Sequence, residues 1–313
     1  MKAITFTDAD PDRLELVELE RPEPSLIEVL VRVRATGVNP VDWKTRQGAG
    51  VRGFFDPAQP MVLGWDIAGE VVEVGAGVTR FAVGDRVFGM PRFPDPAKAY
   101  AEFVASPSRH LARTPEGVSD EVAAALPLAG LTAWQAVVDT LQVGPGHRLL
   151  VHAAAGGVGH LAVQIAKARG AEVWGTASAA KHELLRELGV DHPIDYRSED
   201  FTQVAREMDS VIDFVGGPEN PTRSLECLQR GGKLIVIPSP LELPSEEALA
   251  ERGVSASWLL VEPDHHALEQ LGAMLSEGSL RVLVADVQPF EQMAALHALS
   301  ESGTVTGKLV ATL

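Results

Sequence analysis

The chain predicts a mixed α/β protein in which a doubly wound parallel sheet domain is inserted into a β-rich domain. Three features of the sequence predict it. Short apolar runs broken by Gly and Pro fill the first third, and from about residue 119 apolar strands alternate with Ala- and Leu-rich stretches. The last residues, Gly307 to Leu313, return to a strand pattern. Many short strands between turns read as a barrel-like fold; strand–helix alternation reads as a parallel sheet covered on both faces. The final strand is expected to rejoin the first domain. The expected boundaries are therefore 1–118 for the first part of the β-rich domain, 119–257 for the inserted sheet domain, and 258–313 for the return.

At 313 residues there is enough chain for two cores. A hydrophobic share of 45% with 22% charged is ordinary for a soluble globular protein. The net charge of −16 argues against a general nucleic-acid partner, so local cations stand out. No run approaches the ~18 apolar residues of a membrane span, and the N-terminus has no apolar signal region. The single cysteine, Cys227, excludes an intrachain disulfide and a multi-cysteine zinc site. A reduced, cytoplasmic protein is expected.

Along the chain, Leu26 to Arg34 alternates at period two, as a half-buried strand does, and Val71–Gly75 and Asp85–Gly89 repeat the pattern between glycines. A proline-rich loop, Pro91 to Pro96, precedes the apolar stretch Tyr100–Val104. Ser119-Asp120-Glu121 opens a helix expected to run through Gln135. Leu149–Val151, Ala171–Thr176, Asp209–Val215 and Lys233–Ile237 read as parallel strands. Helices are expected from Lys181 to Leu188, ended by Gly189, and around Cys227. Two more helices precede the last strand, and the pair His265-His266 at the first of them is expected to be exposed.

The organising stretch is Arg148 to Leu161, a buried strand, a small-residue turn and a helix start. Ala154, Gly156 and Gly159 occupy the three glycine positions of G-x-G-x-x-G, alanine replacing the first. A dinucleotide diphosphate needs such a bend, because backbone N–H groups at a helix start must reach it with no side chain between. Ala155, Gly156, Gly157, Val158 and Gly159 are the expected contacts. An acid that holds the ribose 2′-hydroxyl of NAD lies about 20 residues beyond such a turn. Here that place falls on Ser178, 19 residues past Gly159. A carboxylate repels a 2′-phosphate, whereas a hydroxyl donates to it. Lys181 follows in the next helix start, where a cation opposes the helix dipole unless an anion sits beside it.

Six markers then accumulate in order: Gly37-Val38-Asn39-Pro40-Val41-Asp42, Gly64-Trp65-Asp66-Ile67-Ala68-Gly69, Gly84-Asp85-Arg86-Val87, Leu131-Thr132-Ala133-Trp134, the glycine turn, and Gly231-Gly232-Lys233-Leu234. Over essentially its whole length the chain resembles the zinc-independent quinone oxidoreductase branch of the medium-chain dehydrogenase/reductase superfamily. The resemblance implies a GroES-like catalytic domain made from both chain ends, a Rossmann domain between them, and a nicotinamide cofactor in the cleft. The zinc-containing relatives carry Gly-His-Glu where this chain has Gly64-Trp65-Asp66, and they need cysteines that it lacks. No metal is expected. In NADPH-specific members a lysine and a tyrosine hold the 2′-phosphate, and Lys181 and Tyr196 match those positions; NADPH is therefore the expected cofactor. The resemblance further implies Thr132 near the nicotinamide, Val215 and Ile237 flanking the cofactor, and Lys308 towards its phosphate end.

The segment Asn39–Lys44 faces the nicotinamide in relatives. Lys44 stands where several quinone reductases have tyrosine and is similar to the lysine of alkenal and enone reductases. Its ammonium would steady the acceptor oxygen as hydride reaches the β-carbon. Asn39 would orient the acceptor carbonyl or the nicotinamide amide, and Trp65 would line the substrate pocket. The expected activity is hydride transfer from NADPH to a small quinone or α,β-unsaturated carbonyl. The alternative is an NADPH-binding structural or regulatory relative with little turnover. An enoyl-reductase module of a larger synthase is a third reading, which a free-standing start at Met1 speaks against. A homodimer is a family expectation.

Overall fold

The computed structural model describes residues 1–7, 10–56, 61–238 and 241–313. They divide into two units, Met1–Leu131 with Val261–Gly278 and Val282–Leu313, and Thr132–Leu260 with Ser279–Arg281.

The first unit opens with β1 (Lys2–Thr7) and β2 (Asp10–Glu18), an antiparallel pair extended by the short β4 (Met61–Val62) on the other side of β1. Alternation did not single out this hairpin, because β2 is rich in charge and carries Pro11; pairing along Ile4↔Leu16 holds it in place. β3 (Glu28–Val38) is longer than the period-two run predicts. Leu26 and Ile27 are exposed in the preceding turn, and the strand continues to Val38. It is buried along nearly its whole length because it pairs with β5 (Asp66–Val74) and also with β7 (Phe103–Pro107). β6 (Arg86–Gly89) and β8 (Leu111–Arg113) continue the sheet beyond β5. Val29, Val31, Val33, Ile67, Val87 and Leu111 form its core. Helix α1 (Pro40–Arg46) leaves the end of β3.

The helix expected from Ser119 to Gln135 is broken in two. α2 (Asp120–Ala125) and α3 (Pro127–Trp134) meet at Leu126, since Pro127 has no N–H to continue the ladder. Past Trp134 the backbone widens into π-helical turns over Gln135–Thr140.

The second unit holds β9 (Arg148–Val151), α4 (Gly159–Ala168), β10 (Glu172–Ala177), α5 (His182–Glu187), β11 (His192–Asp195) and α6 (Phe201–Val204). β12 (Met208–Asp213), α7 (Asn220–Ser224), β13 (Leu228–Val236), α8 (Glu246–Arg252) and β14 (Ser255–Trp258) follow. Among the described residues the strands run parallel in the order β11-β10-β9-β12-β13-β14. In units of chain order this is 3-2-1-4-5-6, whose switch point between the first and fourth strands is where dinucleotides bind in open α/β sheets. Leu150, Val211 and Leu234 pack with Trp174, Phe201 and Cys227 under one face. The helix expected around Cys227 is α7 followed by a 3-10 turn, Leu225–Cys227.

The chain then returns to the first unit with α9 (His265–Ser276), β15 (Val284–Pro289), α10 (Met293–Glu301) and β16 (Lys308–Thr312). β16 lies antiparallel to β3, Leu309 opposite Val38 and Thr312 opposite Ala35, so the final strand does rejoin the β-rich sheet. β15, which the sequence reading passed over, pairs parallel to β16. His265 departs from expectation: it is buried on the inner side of α9, and of the pair only His266 is exposed. No helix among the described residues is long and apolar enough to cross a membrane.

Candidate functional site

β9 ends at Val151, and the chain bends through His152–Val158 before α4 begins at Gly159. The bend is anchored from below. Ala153 N–H donates to Thr176 Oγ1 at 3.1 Å, and Ala154 N–H to the Thr176 carbonyl at 3.0 Å. His152 Nδ1 lies 3.2 Å from Thr176 Oγ1 and its Nε2 3.1 Å from Ser224 Oγ. Ser224 Oγ already donates to the Asn220 carbonyl, so it accepts from Nε2–H, and Nδ1 accepts from the threonine hydroxyl. Only a neutral imidazole satisfies this chain, and burial pushes the His152 pKa down to about 4. Above the anchor, the N–H groups of Ala155, Gly157 and Val158 have no hydrogen-bond partner among the described residues. A Cβ on Gly159 would stand 2.3 Å from the Ala153 carbonyl oxygen, so only glycine lets the helix start this close to the bend. Free donors, a bare surface and the positive end of α4 fit a dinucleotide diphosphate.

β10 and β11 end in step, Ala177 opposite Asp195. Ser178 and Tyr196 therefore leave neighbouring strands side by side, and Tyr196 N–H donates back to the Ala177 carbonyl at 3.3 Å. Ser178 makes no side-chain cap bond, and Lys181 closes the 3-10 turn Ala179–Lys181 ahead of α5. The Tyr196 ring is largely exposed, with the Arg197 guanidinium 5.6 Å from its centre. Arg197 is a cation the sequence reading missed. At the other side of the switch point, Val215 follows β12 and is exposed, its N–H held by Asp213 Oδ1 at 2.7 Å. Ile237 follows β13, bonded through its N–H to the Asp213 carbonyl. Thr132 is buried in α3.

In the first unit the structure gathers residues that the sequence had scattered. Asn39, capping α1, is buried with both ends of its amide engaged. Its Nδ2 donates to Asp66 Oδ2 at 2.8 Å, and its Oδ1 accepts from the Lys308 ammonium. Asn39, expected to orient the acceptor carbonyl or the nicotinamide amide, spends one donor and one acceptor of its side-chain amide inside this cluster. Lys308, expected at the phosphate end of the cofactor or on the surface, is 3% exposed, and its Nζ also donates to the Val38 carbonyl at 3.1 Å. Asp66 further accepts the Leu128 N–H at 2.7 Å, the first N–H of α3 after Pro127. Asp42 reaches back from the first turn of α1 to the Asn39 N–H at 2.6 Å. Burial raises its pKa to about 7, with the Asp66 charge adding to the effect. Burial likewise raises Asp66 and lowers Lys308, each opposed by the charge of the other. Tyr100 and His297, 3.1 Å apart, close the cluster beside Asp42. The spacing of Asn39 and Asp42, three apart at a helix start, was the one legible signal for Asp42.

Lys44 lies two residues further along α1, half-buried, its Nζ 5.7 Å from the Trp43 ring. Burial holds its pKa below the usual lysine range. Trp65 has no exposed surface: its ring packs edge-on between Phe55 and Phe93, and its N–H donates to the Asp95 carbonyl at 2.9 Å. Among the described residues no three His, Cys, Asp or Glu side chains come together to hold a metal.

Residues 26–116 match the alcohol dehydrogenase GroES-like domain, and residues 188–310 match the zinc-binding dehydrogenase family. The chloroplast envelope quinone oxidoreductase homolog of Arabidopsis thaliana is 32% identical over 311 residues, 95% of this chain and 93% of that one. The quinone oxidoreductase structure from Coxiella burnetii is 37% identical with a TM-score of 0.93, covering 100% of this chain and 99% of that one. The Escherichia coli quinone oxidoreductase, solved in complex with NADPH, is 29% identical with a TM-score of 0.89 over 100% of both chains. With the sheet order, the bare bend and end-to-end likeness in agreement, the chain is an oxidoreductase of the medium-chain dehydrogenase/reductase superfamily and belongs with its quinone oxidoreductases.

Proposed function

We propose that this protein is an NADPH-dependent reductase that adds hydride by conjugate addition to a small quinone or α,β-unsaturated carbonyl, without zinc. The observation that carries the reading is the corner where β10 and β11 end. Ser178 and Tyr196 stand there side by side with Lys181 following; a serine rather than an acid follows β10, and the nearby Asp195 carboxylate is engaged by the Ser198 hydroxyl and the Arg197 N–H.

When bound, the reduced nicotinamide supplies the hydride. The free amides of Ala155, Gly157 and Val158 hold the diphosphate, which lies over the bare Gly156 and Gly159, and Ser178, Lys181 and Tyr196 hold the 2′-phosphate. Thr132, Val215 and Ile237 bound the rest of the cofactor. Lys44 steadies the acceptor oxygen as negative charge grows on it; its half-buried ammonium acts through a less screened medium than water. A proton from solvent completes the addition, so the acceptor gains one hydride and one proton. Trp65 enters this reading as packing, since it has no exposed face. A cytoplasmic homodimer belongs to the same reading by family resemblance.

NADPH consumption is to be followed across benzoquinones, naphthoquinones and short alkenals, and repeated with NADH. We expect NADPH to be favoured by about tenfold or more in kcat/KM, equivalent to ~1.4 kcal/mol. Lys181→Ala should erase most of that preference. Equal efficiency with both cofactors would remove the NADPH assignment. Stoichiometric NADPH binding with no acceptor-dependent oxidation would select a binding protein instead.

A further inference from the structure

Lys308 has no part in the reaction as proposed, yet it is a lysine with almost no contact with water. Its ammonium meets Asn39 Oδ1, the Val38 carbonyl and, at 3.9 Å, Asp66 Oδ2. The other end of the Asn39 amide meets Asp66 at 2.8 Å, so the asparagine is gripped between a cation from β16 and an anion from β5. The Asn39 N–H is in turn tied to Asp42 inside α1. At its far end the same helix is pinned to α10: Trp43 Nε1 donates to Ser300 Oγ at 3.2 Å and Arg46 to Glu301 at 2.5 Å. Helix α1 is thus held at both ends, and Lys44 lies between the two pins.

We infer that Lys308 is a positioning residue: with Asp66 it clamps the Asn39 cap and thereby sets where α1 presents Lys44 to the acceptor. The inference rests on the role of Lys44 proposed above. A grip made of one amide, one ammonium and one carboxylate has a single geometry, whereas water-exposed partners would let the helix start wander. Displacement of a substrate-positioning group by about 1 Å costs on the order of 100-fold in rate. Lys308 acts at a distance, so its loss should appear in turnover and leave cofactor binding alone.

The test is Lys308→Met, which keeps length and removes charge. Because it leaves Asp66 buried without its cation, the double change Lys308→Met/Asp66→Asn is made alongside, so that no ion stays buried alone. For both we expect kcat for enone reduction to fall about tenfold or more, while the NADPH dissociation constant moves less than about twofold. In a Lys44→Ala background the same changes should cost nothing further, since they act through Lys44. Where Lys44→Ala itself lowers turnover, unchanged kcat in the Lys308 variants, or an equal loss in both backgrounds, overturns the inference. Amide hydrogen exchange gives a second readout that does not depend on Lys44 chemistry. Exchange over residues 42–46 should quicken at least tenfold in both variants and stay unchanged over 159–168. Unaltered exchange in α1, or faster exchange across the whole first unit, would make Lys308 a general stabiliser and overturn the clamp. If Lys44→Ala leaves turnover intact but exchange in α1 responds, the clamp stands and the proposed role of Lys44 falls.

Discussion

Lys308 Nζ lies 3.9 Å from Asp66 Oδ2 with the amide of Asn39 bonded to both, and none of the three side chains is more than 3% exposed. One buried ammonium thus faces two buried carboxylates, Asp66 and Asp42. The surplus carboxylate is the origin of the first prediction.

Asp42 titrates at about 7 in the folded protein against 3.8 for the free side chain. Between those values the folded state binds more protons, so this group's contribution is full below 3.8 and is lost as pH rises through 7. The slope is about 1.4 kcal/mol per pH unit. Asp42→Asn should therefore stabilise the protein relative to wild type by roughly 2–3 kcal/mol more at pH 8 than at pH 5. Denaturant unfolding at the two pH values measures it, and an equal difference at both would show that Asp42 is ionised throughout.

His152 behaves in the opposite sense. Its folded pKa of about 4 lies below the ordinary 6.5, so the unfolded chain takes up the proton first. Its contribution is complete above 6.5 and drains away as pH falls towards 4. His297, pushed down to about 3 by burial, adds a slope of the same sign. Asp42 offsets one of the two histidines over the shared range. Wild type should lose net stability on acidification from 6.5, and His152→Asn should show a shallower pH slope. A slope identical to wild type would place the His152 proton elsewhere.

Two glycines of the bend should separate folding from binding. Gly159→Ala puts a Cβ 2.3 Å from the Ala153 carbonyl, where backbone must move, and should cost ~1–3 kcal/mol in thermal or denaturant unfolding. Gly156→Ala meets the same oxygen at 3.1 Å, which a small adjustment relieves. That variant should fold nearly as well as wild type yet bind NADPH about tenfold or more weakly, because the methyl stands over the amides. If Gly156→Ala binds normally in a fluorescence titration, the diphosphate lies elsewhere.

Ser178→Asp should reverse the cofactor preference. A carboxylate beside Lys181 and Tyr196 repels a 2′-phosphate and accepts from a 2′-hydroxyl. We expect the NADPH to NADH ratio of kcat/KM to drop on the order of 100-fold, with NADH activity kept or improved. A parallel loss with both cofactors would mean that the substitution merely disrupts the corner.

The bend after β9 was readable in the chain because every requirement it meets is local: small residues, a strand before and a helix after. The same holds for the place of Ser178 after β10, which needs only a count from the turn, and for the closing strand, whose apolar run Leu309-Val310-Ala311 is legible by itself. The break at Pro127 was missed: proline lacks a donor wherever it stands, but the helical pattern on either side masked it. His265 and His266 show the limit. Adjacent residues of one type at a helix start look alike, and only the packing of α9 buries one of them.

Order along the chain thus carried the two-domain plan, the glycine bend after β9 and the serine that follows β10, all of which follow from contacts between near neighbours. The fate of Asn39, Lys308, Asp66 and Asp42 was set by folding, because Lys308 and Asn39 are 269 residues apart and nothing in either neighbourhood names the other. Whether an ammonium is solvated or sealed against a carboxylate depends on which distant strands close over it. That burial is what seals Lys308 against Asn39 and the Val38 carbonyl and gives Asp42 a proton near neutral pH.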